Sequence, residues 1–227
     1  MRTLPLKADL TQETYTTIRG AILNGELEPG AWLAQEVLAE QLGVSRQPVV
    51  QALGLLRHEG LVVERGRRGL AVAPLEPARI RHLYEVRGAL DGLAARLASE
   101  NADAASTEVF ERLLASGEDA LARKDVSALI AADVALHRKI YQLSGNPEIG
   151  LAAETLWPHF HRAMSAVVRT RGQDTHTRDR TWREHREIVL AIGSGDADRA
   201  EHYARSHCLS AGETTADHLA RVAAEKK

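Results

Sequence analysis

Residues 43–62 read "GVSRQPVVQALGLLRHEGLV", and this stretch decides the architecture of the first third of the chain. Val49, Ala52, Leu53 and Leu56 recur at the i, i+3, i+4, i+7 spacing of a helix with one buried face. Ser45 stands where a helix N-cap is expected, and Pro48 falls in the first turn, where its missing N–H costs nothing. The helix is expected to run to about His58 and to stop at Gly60. Its outward face then carries Arg46, Gln47, Val50, Gln51, Gly54 and Arg57. Arginine and glutamine at the start of a helix are the side chains that reach base edges in a DNA major groove.

Working outward, "QEVLAEQLG" at 35–43 reads as a two-turn helix ended by Gly43. Residues 11–23, "TQETYTTIRGAIL", place Tyr15, Ile18 and Ile22 at helical spacing. Downstream, "LVVER" at 61–65 and "LAVAPL" at 70–75 flank "GRRG", a hairpin signature. Helix, helix, tight turn, helix and a two-stranded wing is the order of a winged helix-turn-helix. Arg65, Arg67 and Arg68 lie beside wing glycines, which let the backbone approach DNA closely. With Arg46 and Arg57 they outnumber Glu59 and Glu64 and form a local basic patch. The residues expected at DNA are Ser45, Arg46, Gln47, Gln51, Arg65, Arg67 and Arg68. The alternative is a helical hairpin with a solvated basic face.

"VAPLEP" at 72–77 marks a boundary, so residues 1–74 are expected to form the DNA-binding domain and 75–227 a second domain. Beyond it no strand pattern occurs up to about Leu219. Helices are expected at 77–99, 104–122, 126–143, 148–170, 178–193 and 197–219. Short loops between them imply an antiparallel bundle of six or seven helices, and the fold class is mainly α. A chain of 227 residues with 44% hydrophobic and 26% charged content has ordinary globular composition, and nothing in it suggests disorder or a fibre. A net charge of −2 argues against bulk nucleic-acid binding, which makes the local patch the relevant signal. Cys208 is the only cysteine, so no intramolecular disulfide forms and a reducing compartment is expected. With no secretory leader pattern and no apolar run of spanning length, the expectation is a soluble, cytoplasmic protein with no membrane partner.

The second domain carries the more informative chemistry. On the 126–143 helix Asp133 and His137 share a side with Ile130, Ile140 and Tyr141. His185 is in register with Trp182, Ile188, Val189 and Ile192, and His207 with Ala200, Tyr203 and Ala211. Each is expected to point into the bundle. Three buried imidazoles and a carboxylate from facing helices are expensive to leave unpaired, and together they form the ligand set of a divalent metal. A competing class is a metal-dependent enzyme acting on small carboxylates. Glu184 beside His185 would be its base, but neighbours on a helix differ by about 100° and do not share a face. Cys208 lies next to His207 but off its face, which disfavours a nucleophile.

"GVSRQPVVQALGLLRHEGLV" followed by a glycine-flanked wing resembles the DNA-binding domain of GntR-type bacterial repressors. The family usually carries an arginine and a glutamate where Val50 and Gln51 stand here, a glutamate at Gln35 and often an arginine at Glu36. "YEVRGALDGLAARLA", "DVALHRKIYQLSGN" and the two late histidines resemble the FCD effector domain of the FadR subfamily. That resemblance implies a transcriptional regulator, a repressor rather than an enzyme, acting as a homodimer on a palindromic double-stranded operator. It implies a metal at Asp133, His137, His185 and His207, with zinc expected first and nickel, manganese or iron as alternatives. It also implies a small carboxylate effector at that metal and Arg87, with His159, His161 and Arg162 as further lining. For Arg87 the alternative is a salt bridge to a helix neighbour, and Asp91 stands where the family has a glutamate. A metal-free regulator sensing an acyl ligand is the remaining alternative. The helix near 79–98 is the expected dimer surface.

Overall fold

The computed structural model describes residues 8–66, 69–171 and 175–225. The chain separates into two compact units. One comprises the chain up to Leu75 together with Pro158–Ser165; the other comprises Glu76–Trp157 and the chain from Ala166 onward.

The first unit contains α1 (Ala8–Asn24), α2 (Gln35–Leu42), α3 (Arg46–His58), β1 (Val62–Arg65) and β2 (Gly69–Val72). Ile18 and Ile22 of α1, Leu38 of α2, and Val49, Leu53 and Leu56 of α3 close one core with Leu61 and Val72. α2 ends because Gly43 turns into the left-handed region at φ 64°, a conformation that costs glycine little. Pro48 sits in the first turn of α3 as expected. Ser45 occupies the N-cap backbone position, but its side chain makes no capping hydrogen bond. The wing is an antiparallel hairpin pairing Val62 with Val72 and Arg65 with Gly69. A bridge between Trp32 and Ala71 adds a third edge that the sequence pattern did not suggest. It arises because the α1–α2 connection runs alongside β2, with Leu33 N–H donating to the Leu70 carbonyl.

The second unit is built from α4 (Pro77–Glu100), α5 (Ala104–Ala122), α6 (Val126–Leu143), α7 (Pro147–Glu154), α9 (Thr175–Gly193), α10 (Ala197–Glu225) and parts of α8 (Trp157–Arg171). The helix expected over 148–170 is two helices. Pro158 has no N–H to give the preceding turn and its ring clashes with the carbonyl four residues back, so the chain breaks at Thr155 and Leu156. The polar loop residues between helices are caps. Asp103 and Ser106 form a reciprocal capping box on α5. Asp125 accepts from Ala128 N–H at the start of α6, and Asn146 from Glu148 N–H at the start of α7. These caps fix where α6 begins, and hence which way Asp133 and His137 point. α4 and α10 approach closely, and a side chain added at Gly92 would stand 3.3 Å from the Glu201 carbonyl.

Gly117 of α5 leaves room for the indole of Trp182 on α9, whose Nε1–H donates to the Leu114 carbonyl at 2.9 Å. A methyl group at position 117 would lie 1.6 Å from that ring. We expect Gly117→Ala to destabilise the chain by about 1–3 kcal/mol through overpacking, read as a lower urea midpoint. An unchanged midpoint would show that the indole is free to shift.

Candidate functional site

α6, α9 and α10 bring Asp133, His137, His185 and His207 together, with one ligand atom of each lying within 4.8 Å of all the others. All four are buried, His185 completely so. His185 Nε2 lies 3.1 Å from His207 Nε2 and 3.4 Å from Asp133 Oδ1, and His137 Nε2 lies 3.8 Å from the same oxygen. His137 Nε2 and Asp133 Oδ2 have no hydrogen-bond partner. Orphaned buried donors and acceptors cost free energy, and nitrogen lone pairs gathered beside a carboxylate are the chemistry that a divalent cation satisfies. The residues therefore fit such an ion.

Around this point lies a shell of charge. The Asp91 carboxylate accepts from Arg87 Nε at 3.2 Å, from Cys208 Sγ at 2.9 Å and from the Tyr141 hydroxyl. His137 Nδ1 stands 3.0 Å from the same carboxylate. His207 Nδ1 is 2.8 Å from Glu184 Oε2. The Arg87 guanidinium lies 4.6 Å over the Trp157 ring and 3.9 Å from Asp133. His185 meets Trp182 edge-on at 4.8 Å between ring centroids.

Burial and these neighbours set the protonation states. Burial foremost, then the Arg87 charge, lowers the His137 pKa; burial and the other two imidazoles hold His185 well below its ordinary range. Burial would raise Asp91, but the Arg87 guanidinium and His137 outweigh it and keep the carboxylate ionised. Burial opposes Glu184 likewise, and its bond to His207 wins and lowers it. Cys208 is pushed well up by burial and by Asp91, so its thiol is a hydrogen-bond donor rather than a nucleophile.

Of the residues expected around an effector, Arg87 lies beside the four-residue cluster. His161 and Arg162 are grouped instead with the first unit. Arg162 donates to the Ala73 carbonyl, and His161, its pKa lowered by burial, feels the charge of Arg19. Glu184 escaped the sequence reading because face arguments treat side chains as radial, whereas a glutamate is long enough to reach a neighbouring helix. Cys208, expected off the face, is buried against Asp91 because α10 packs on both α4 and α9.

In the first unit Arg46, Gln47 and Gln51 are exposed on α3, as are Val50 and Arg57. Arg46 donates from Nε and Nη2 to Gln35 Oε1 at 3.1 and 3.0 Å and pairs with Glu36 at 2.8 Å. Gln51 accepts from Thr11, and Arg65 donates to the Gly30 carbonyl at 2.9 Å. Arg67 and Arg68 lie outside the described residues.

Residues 10–72 match the bacterial regulatory proteins of the gntR family, and residues 82–210 match the FCD domain. A helix-turn-helix regulator in an unstable DNA locus of Streptomyces ambofaciens is 31% identical over 198 residues, 86% of this chain and 80% of its own length. The repressor RspR of Escherichia coli is 24% identical over 208 residues, 90% of this chain and 88% of its own. A GntR transcriptional regulator structure from Rhodococcus sp. RHA1 superposes with a TM-score of 0.75 at 20% identity, covering 92% of this chain and 98% of that one.

The lowered His137 and His185 values carry a sign. A histidine whose folded pKa lies below its unfolded value stabilises the fold above the ordinary 6.5, and that contribution is lost as pH falls. Metal-stripped protein should therefore lose thermal stability on acidification more steeply than its His185→Gln variant. Parallel pH profiles for the two would exclude the buried imidazoles as the cause.

Proposed function

The chain belongs to the GntR family of bacterial regulators and carries an FCD domain, and from that premise we propose that it is a repressor controlled by a divalent metal and a small carboxylate. As a member of that family it is a DNA-binding transcriptional regulator and not an enzyme. The observation that carries the sensor reading is the buried meeting of Asp133 with His137, His185 and His207. FCD domains are often metal-binding, which supports the same reading.

In this reading Asp133 and the three imidazoles hold the ion, which when bound supplies a positive, Lewis-acidic point that attracts a carboxylate. Arg87 adds a second, fixed cation. Its Nε is engaged by Asp91 and its plane rests on Trp157, so the side chain is held in place before any ligand arrives. Those contacts realise the helix-neighbour salt bridge and still leave the guanidinium beside Asp133. Burial of the whole group shields it from water, where a carboxylate–guanidinium pair is weakened.

Homodimerisation on a palindromic operator completes the proposal. Leu83, Val86, Leu90, Leu93 and Leu97 fall at alternating three- and four-residue spacing along α4, the a/d repeat of a helix seam. Val86 and Leu93 are exposed, and the side of α4 turned toward α10 carries the buried Gly88, Asp91 and Gly92. A second copy of α4 is the surface that such a seam fits.

On the DNA side, Arg46→Ala should cost about 1–3 kcal/mol of operator affinity if the guanidinium reads a base. Val50→Arg should shift sequence preference rather than tighten binding uniformly. Operator selection from random DNA reads both, and identical selected sites for the Val50→Arg and unaltered chains would misplace the reading surface. For the sensor, operator titrations with zinc and a panel of small carboxylates compare the unaltered chain with the His137→Ala, His185→Ala double variant. The variant should keep DNA binding and lose effector response. A full response in it would exclude the metal as the sensor.

A further inference from the structure

Two of the three clustered imidazoles are turned the same way, and each by a different carboxylate. His137 has its Nδ1 at 3.0 Å from Asp91 and its Nε2 toward Asp133. His207 has its Nδ1 at 2.8 Å from Glu184 and its Nε2 toward His185. A neutral imidazole carries one proton, and the nitrogen facing an anion keeps it, which leaves the other with a bare lone pair. We propose that Asp91 and Glu184 are positioning residues that hold His137 and His207 as Nδ1–H tautomers, so that both imidazoles offer Nε2 to a cation. The proposal deepens the metal-sensor reading, yet it describes a state that exists without metal.

Neither carboxylate is free to turn away. Asp91 is buried and takes Arg87, Cys208 and Tyr141 as further donors. Glu184 is partly exposed and is steadied by Arg180 one turn earlier on α9 at 3.5 Å. The two come from different helices, α4 and α9, and act on ligands carried by two others, α6 and α10. His185 stands apart, since its Nδ1 is buried without a hydrogen-bond partner and its ring is oriented by contact with Trp182. The site therefore consists of two imidazoles preset by anions and a third, His185, set by packing and by donating its Nε2–H to the bare His207 Nε2 at 3.1 Å, a proton that a cation would displace. An anionic partner on the far nitrogen also raises the basicity of the ligating one.

The test begins with the metal-stripped full chain and long-range proton–nitrogen spectra of its histidines, assigned with His137→Gln and His207→Gln. Protonated Nδ1 and bare Nε2 are expected at both positions. Cobalt(II) titration, followed by its visible spectrum, then compares Glu184→Ala and Glu184→Gln with the unaltered chain. Glu184→Ala should weaken cobalt binding by about 10–100-fold. Glu184→Gln, whose amide oxygen still accepts from Nδ1–H, should retain more of it. Protonated Nε2 at His207, or unaltered cobalt affinity in folded Glu184→Ala, would overturn the proposal. Failure of the unaltered chain to bind cobalt would remove the metal sensor itself, and the tautomers would then decide the positioning role alone.

Discussion

Burying a carboxylate and three imidazoles at one point is the constraint on which the second unit depends. None of these groups leaves water without cost, and a bundle that packed them against aliphatic side chains alone would lose stability for each. The fold meets the cost in a graded way. Asp91 and Glu184 satisfy one nitrogen each of His137 and His207, and the Arg87 guanidinium stands beside Asp133. What stays unsatisfied is His137 Nε2, Asp133 Oδ2 and His185 Nδ1. Of these, His137 Nε2 faces the point where His185 Nε2 and Asp133 Oδ1 also meet, and that unmet bonding capacity supports the proposal of a cation at the centre.

Every helix that contributes to the centre is held by an independent local device. α6 is started by Asp125, so Asp133 and His137 fall two and three turns into a helix with a fixed origin. α9 is pinned by Trp182, whose indole fills the gap at Gly117 and donates to Leu114. α10 lies against the glycine-bearing face of α4, which brings Cys208 to Asp91 and His207 to Glu184. The carboxylate of Asp91 thus serves packing and chemistry together, since it ties α4, α6 and α10 to one another while orienting Arg87 and His137.

Much of this was legible in the sequence because periodicity and punctuation are local properties. The apolar spacing of α3, the glycine that ends α2 and the hairpin around residues 66–69 all report on contacts within a few residues. The phases of Asp133, His137, His185 and His207 were legible for the same reason. What the pattern could not show was reach between helices. Glu184 was set aside because it is a helix neighbour of His185, yet it serves His207 on α10. Arg87 was weighed as either a clamp or a salt-bridge partner, and the structure shows the salt bridge to Asp91 within a cluster that also contains Asp133. The break before Pro158 was signalled by the residue itself but hidden inside an otherwise continuous apolar pattern. Ser45 shows the converse, a residue in the capping position that makes no cap.

The central claim is that one cation is held at the meeting of α6, α9 and α10. The most direct measurement is anomalous X-ray scattering at the zinc edge from crystals of the full chain grown with zinc. The account predicts one strong peak bounded by Asp133 and the Nε2 atoms of His137, His185 and His207. Zinc peaks confined to other positions, with none at this meeting point, would contradict it.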